Sequence, residues 1–202
     1  MAGPTNVYQI QFFAGIGHVC LQWALLETTL LAVLNVLENL PTDEGAIMFG
    51  GLDVHKRLNM AINLSAHHKA PPHIIRQLKD IRITLQKEKG GLDLADRRNQ
   101  VVHGAHKDAL DPQAVTLTMF SWNKAKRERE VKFEDLAVLA EEIHALQRRV
   151  YRVFEDIGPW KYPGHGEVNR SNDLGSTPPA VRVKLTQGPY AGLKHFWRRL
   201  FG

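Results

Sequence analysis

The stretch VCLQWALLETTLLAVLNVLENL, residues 19–40, decides the fold, because its apolar side chains cover most of the circumference of a helix. We expect one long helix from about Thr5 to Leu40, and a helix that is apolar on most sides has to be buried on most sides. Four polar residues that a membrane span rarely tolerates interrupt the run: Gln22, Glu27, Asn35 and Glu38. The stretch therefore predicts a core helix rather than a transmembrane segment, and a second copy of the chain can cover one face of it.

The rest of the chain up to residue 157 continues the helical pattern with one interruption. Apolar residues at helical spacing predict further helices over about 53–67, from Pro71-Pro72 to Gly90-Gly91, over 94–103 and over 134–156, with a loop at 41–45. Between the last two helices, residues 114–122 alternate and are rich in β-branched and aromatic side chains, so they predict a hairpin with a polar turn at 123–127 and a return strand at 130–133. The fold class is mainly α, a bundle of about five helices with a small β-hairpin insertion.

Composition and charge separate this body from a tail. The chain has 202 residues and a single cysteine, so an intrachain disulfide is excluded. No basic region followed by an apolar block begins the chain, and we expect a cytoplasmic protein. Residues 158–202 carry seven of the 26 basic and two of the 21 acidic residues, so residues 1–157 are balanced at 19 of each. We expect a helical domain over 1–157 and a flexible basic tail over 158–202.

The tail ends in a short basic amphipathic pattern at 191–201. Its apolar residues are spaced as on one helical face, and basic residues fill the remaining positions: Leu193, Phe196, Trp197, Leu200 and Phe201, with Lys194, Arg198 and Arg199. Such a helix can dock on its own body, bind a partner protein through Phe196, Trp197 and Arg198, or contact a membrane surface or nucleic acid.

The candidate chemistry lies in RNQVVHG, residues 98–104, at the end of the predicted fourth helix. Arginine stays charged, and its planar guanidinium can bind two phosphate oxygens at once. Histidine titrates near neutral pH and can act as acid or base. The spacing of Arg98 and His103 is expected to occur by chance in a chain of this composition, so only the surrounding residues can support it as a site. Asn99 follows Arg98 directly, and Gly104 stands where a helix ends. The alternative without a functional site is a surface arginine and a histidine that is stabilised by the helix dipole.

This motif and the order of elements around it resemble the HEPN superfamily (higher eukaryotes and prokaryotes nucleotide-binding domain) over roughly residues 5–157. The resemblance implies a HEPN-like helical bundle, usually dimeric, and in its nuclease members a metal-independent ribonuclease of toxin–antitoxin or anti-phage defence systems. Arg98, Asn99 and His103 are the catalytic residues that it implies. A HEPN-like module that binds RNA, nucleotide or protein without cutting is the alternative. No cofactor is expected.

The helical geometry adds two expectations about this site. Arg98 and His103 are five residues apart, about 140° around an ideal helix, so they do not share a face. A two-fold dimer would bring both copies of each into one groove and supply two histidines, one as base and one as acid. Asn99 lies one turn before His103 and can orient its imidazole. Glu27 interrupts an apolar run, and we expect either exposure or a pairing with Arg97 or Arg98.

Two further clusters of residues are candidate sites. Lys124, Lys126 and Arg127 at the predicted hairpin tip can grip RNA phosphates, although the neighbouring Glu128 and Glu130 favour a solvated turn. The histidines at 67, 68, 103 and 106 match no standard zinc spacing, so no metal site is predicted.

Overall fold

A computed structural model describes residues 7–89, 92–108, 114–121 and 124–162. Within these ranges the protein is mainly helical with a small antiparallel sheet, as predicted. The elements in chain order are α1 (Val7–Glu38), α2 (Thr42–Phe49), α3 (Val54–His67), α4 (Pro72–Leu85), α5 (Leu94–His103), β1 (Ala105–Asp108), β2 (Ala114–Ser121), β3 (Lys124–Lys132) and α6 (Phe133–Lys161).

The two long helices α1 and α6 lie side by side and form the centre of the fold. They run parallel, because residues further along α1 contact residues further along α6. Gln22 bonds His144 at 3.0 Å, Thr29 bonds Gln147 at 3.1 Å, and the side chain of Asn39 accepts from the hydroxyl of Tyr162. Fully buried leucine and isoleucine side chains fill the space among α1, α3, α4 and α6: Leu26, Leu30, Leu34, Leu58, Ile74, Leu78 and Ile143.

Helix α1 is buried on one side and exposed along the other. Its apolar part, Ile10–Glu38, is long enough to cross a membrane, and 61% of its most apolar window is buried inside the protein. The exposed side carries polar residues such as Gln11 and His18 and, beside them, a row of apolar or small residues spaced three or four apart. We call this row the α1 stripe: Ile10, Phe13, Gly17, Leu21 and Ala24. Ile10, Phe13 and Leu21 are each more than half exposed.

The predicted loop at 41–45 is wrong, because α2 begins at Thr42. Asp43 and Glu44 lie in its first turn, where the helix dipole favours negative charge. At its end, the guanidinium of the buried Arg57 from α3 donates to the main-chain oxygens of Phe49 at 3.3 Å and Gly50 at 2.8 Å. These carbonyls have no partner inside the helix, so a distant side chain completes a helix too short to stand alone.

The hairpin is confirmed, but it belongs to a three-stranded antiparallel sheet in the order β1-β2-β3. Strand β1 was not expected from the sequence. The turn is shorter than predicted, because β3 begins at Lys124, which pairs with Ser121. Lys124, Lys126 and Arg127 are therefore strand residues and do not form a loop tip.

The last helix continues past its predicted end at Asp156 and past the expected domain boundary at residue 157. Helix α6 includes Gly158 and Pro159 and ends at Lys161. A proline removes only one helical hydrogen bond, and tertiary contacts hold this final turn: Trp160 and Tyr162 pack against the core. The amphipathic segment 191–201, with Phe196, Trp197 and Arg198, lies outside the described residues, as does the rest of the tail from residue 163.

Candidate functional site

Helix α5 carries the motif, and its two ends are those expected from the sequence. The side chain of Asp93 caps the start by accepting from the main-chain N–H of Asp96 at 2.8 Å. At the other end, the N–H of Gly104 bonds the Gln100 carbonyl at 3.0 Å. A Cβ at residue 104 would stand 2.5 Å from that same oxygen. Glycine is needed here for close approach, since its φ of −68° is open to any residue.

The two adjacent arginines of α5 have different surroundings. Arg97 is 13% exposed and its Nη1 lies 2.6 Å from the Glu142 carboxylate on α6. Lys89 binds the other oxygen of the same carboxylate. Burial alone raises the pKa of Glu142, but the hydrogen bonds and charges of Arg97 and Lys89 outweigh it and hold that pKa below its usual value. The guanidinium of Arg97 is thus held in an ion pair, which gives Arg97 a role in attaching α5 to α6.

Arg98, the next residue, is half-buried and has different neighbours. Its Nη1 donates to the side-chain oxygen of Asn99 at 2.9 Å, and its guanidinium carbon lies 5.7 Å from the ring centroid of Trp23 on α1. In the described part of the chain, no carboxylate lies within 4.0 Å of it, and its buried Nε has no hydrogen-bond partner there. A half-buried cation between an amide and an aromatic ring is suited to bind an anion.

Glu27 does not pair with either arginine, so that part of the expectation is wrong. Its carboxylate accepts from the indole N–H of Trp23 at 3.0 Å, and its main-chain oxygen accepts from Arg57 at 2.9 Å. Glu27 therefore acts on the ring beneath Arg98 rather than on Arg98 itself. Trp23 was missed at the sequence level, although an aromatic residue four positions before a glutamate on a helix signals such a pair.

His103 is the last residue of α5 and its side chain is exposed. Among the described residues, no hydrogen bond is formed by its ring. The expectation that Asn99 orients His103 is not met, because Asn99 bonds Arg98. His103 is five positions after Arg98, which places it about 7.5 Å further along the helix axis and about 140° around it. Within one chain the structure therefore provides a cation and a titratable group near each other on different faces of one helix.

The remaining candidates stay apart from this helix. His68, next to His67 at the end of α3, bonds Glu38 at 2.9 Å. Over the described ranges, no three His, Cys, Asp or Glu side chains are grouped so that they could hold a metal ion. Comparisons of the chain with models of protein families, with curated proteins and with solved structures find no match.

Proposed function

We propose that this protein is a metal-independent endoribonuclease of HEPN type that works as a homodimer. The observation that carries the proposal is Arg98, a half-buried guanidinium without a carboxylate partner among the described residues, five residues before the exposed His103 at the end of the same helix. The neighbouring Arg97 makes the contrast, because its guanidinium is paired with the carboxylate of Glu142.

The reaction that these groups suit is attack of an RNA 2′-oxygen on the adjacent phosphorus. A base takes the 2′-hydroxyl proton, the O2′–P bond forms, and the P–O5′ bond breaks while an acid protonates the leaving oxygen. The products are a 2′,3′-cyclic phosphate and a 5′-hydroxyl. His103 supplies the base or acid, and Arg98 stabilises the negative charge on the pentacovalent phosphorane. Asn99 holds Arg98 by accepting from its Nη1.

A second copy of the chain completes the site in this proposal. One chain offers a single His103, whereas the reaction uses both a base and an acid. The α1 stripe is the surface proposed for the dimer, since three large apolar side chains are exposed there and Gly17 and Ala24 permit close approach. Trp23 and Ala24 are adjacent, so Arg98 lies on a face of α1 about 100° from the stripe. A two-fold axis at the stripe would bring the two copies of α5 toward one groove.

The proposal is tested with the full chain, a single-stranded RNA substrate and EDTA. We expect cleavage with cyclic-phosphate ends, and a fall of at least a hundredfold in rate for His103→Ala and for Arg98→Ala. Arg76→Ala, which removes an exposed arginine of α4, is the matched control and should cleave normally. Cleavage that persists in both site variants would overturn the assignment.

Binding without cleavage is the second candidate function. The observation that favours it is the exposed His103 ring, which no hydrogen bond from a described residue fixes in one tautomer. In that case the chain binds RNA through Arg98, the RNA remains intact, and His103→Ala does not change the affinity for RNA.

A protein partner of toxin–antitoxin or defence type, bound through the tail, is a separate part of the proposal. Deleting residues 192–202 should remove the partner and leave RNA cleavage unchanged.

A further inference from the structure

The indole of Trp23 links α1 to the arginine of the motif. Trp23 is only 5% exposed, and the guanidinium carbon of Arg98 lies 5.7 Å from its ring centroid. The Nε–H of Arg98 is buried and finds no acceptor among the described residues. An unsatisfied buried donor is unfavourable, and the negative face of an aromatic ring is the group present that can offset it.

The ring itself is held by a hydrogen bond from its N–H group. Its N–H donates to the carboxylate of Glu27 at 3.0 Å, one helical turn further along α1. The main chain of Glu27 is in turn bonded by Arg57, which is buried and donates to three carbonyl oxygens. A hydrogen bond from the indole to a carboxylate also increases the electron density of the ring, which strengthens its attraction for a cation.

We infer that Trp23 is a positioning residue for Arg98, with Glu27 acting through Trp23. The inference rests on the proposed function, in which Arg98 binds a phosphate of the RNA. Asn99 accepts from Nη1 and Nε is buried, so Nη2 is the nitrogen left to donate to phosphate oxygens. Trp23 thereby fixes the plane in which Arg98 presents its remaining N–H groups, without touching RNA itself.

The test compares two substitutions of the ring in the full chain. Trp23→Leu removes the aromatic face, and Trp23→Phe retains it while losing the N–H. Trp160→Leu is the matched control, since Trp160 lies under Lys161 at 5.8 Å at the far end of α6. Affinity is measured for an oligonucleotide whose 2′-hydroxyls are replaced by hydrogen, which cannot be cleaved. Each variant is made with Arg98 and with Arg98→Ala.

We expect Trp23→Leu to weaken binding about tenfold when Arg98 is present and to have no effect in the Arg98→Ala background. Trp23→Phe should retain most of the affinity, and Trp160→Leu should leave the affinity unchanged. Equal losses with and without Arg98 would mean that Trp23 only supports the fold, and would overturn the inference.

A second readout does not depend on RNA. In the ¹H–¹⁵N spectrum, the ring current of Trp23 should shift the Nε–H signal of Arg98, and the shift should disappear in Trp23→Leu and persist in Trp23→Phe. If the unmodified chain neither binds nor cleaves RNA, the proposed function fails, and this signal still decides the position of the arginine. An unshifted signal would overturn the positioning role even if cleavage is found.

Discussion

The Nη1 of Arg97 lies 2.6 Å from the carboxylate of Glu142, and this ion pair joins α5 to α6. The next residue, Arg98, points about 100° further around the helix and meets the ring of Trp23 instead. Two neighbouring arginines of identical chemistry thus have separate roles. Arg97 holds the helix, and its charge is neutralised; Arg98 keeps an available charge.

This division predicts opposite effects for the two alanine substitutions. Arg97→Ala leaves a partly buried Glu142 with only Lys89, so it should lower the free energy of unfolding by about 1–3 kcal/mol. Arg98→Ala loses one exposed hydrogen bond to the side-chain amide of Asn99 and a cation–π contact. It should lower the free energy of unfolding by less than about 1 kcal/mol while abolishing RNA cleavage. Urea unfolding and a cleavage assay at a temperature where both variants are folded measure the two effects. Similar stability losses and similar activities in the two variants would refute the division.

The lowered pKa of Glu142 predicts a pH-dependent stability. A carboxyl group whose pKa is lower in the folded state stabilises the protein above its ordinary pKa, here 4.5, and loses that contribution as the pH falls through the lowered value. We expect Glu142→Gln to unfold more easily at pH 7 by about 1–3 kcal/mol and to match the unsubstituted chain increasingly below about pH 4.5. Glu141→Gln, at an exposed neighbouring position, is the control. A difference that stays constant down to pH 2.5 would contradict the assignment of the ion pair.

The parts of this fold that the sequence predicted are those with local signals. Asp93 caps α5 and Gly104 ends it because both act on main-chain groups within four residues. The helical spacing of apolar residues likewise placed α3, α4 and most of α6. The errors occur where a distant side chain decides the outcome. Helix α2 is completed by Arg57, and the final turn of α6 is held by contacts of Trp160 and Tyr162.

The same distinction applies to the candidate site. Arg98, Asn99 and His103 could be selected as candidates from their context, since Asn99 follows Arg98 directly and Gly104 ends the helix, but not from their spacing, which chance also produces. The partners of these residues could not be predicted. Helical spacing alone paired Asn99 with His103, and charge alone paired Glu27 with an arginine, whereas the structure shows other partners. Which face of α5 meets α1 depends on how both helices pack. Only the structure shows that Trp23 lies beneath Arg98 and that Glu142 neutralises Arg97.

Glycine 104 gives a prediction that joins stability to the site. A methyl group there would stand 2.5 Å from the oxygen of Gln100 and 3.6 Å from Leu117 on β2. Gly104→Ala should therefore lower the free energy of unfolding by about 1–3 kcal/mol and displace the end of α5, with a fall in RNA cleavage. Gly158→Ala, inside α6, is the matched control, since no atom of the described residues lies within 4 Å of the added methyl group. It should raise stability by about 0.5–1 kcal/mol, and equal effects of the two substitutions would contradict the close approach at residue 104.

The α1 stripe gives the last prediction, which concerns assembly. Leu21 is 56% exposed within the stripe, and Ile83 on α4 is 63% exposed outside it. If the chain dimerises through the stripe, Leu21→Glu places two like charges at the two-fold interface and should convert the dimer to a monomer in sedimentation experiments. Ile83→Glu introduces the same charge at a similarly exposed site and should leave the dimer intact.

The same pair of variants also separates assembly from catalysis. A monomeric Leu21→Glu chain should lose RNA cleavage while retaining the unfolding free energy of the isolated chain, because each protomer then has one Arg98 and one His103 and no partner groove. Activity that stays full in a proven monomer would show that a single α5 suffices. The base and the acid would then have to come from within one chain, and the role of the stripe in catalysis would be refuted.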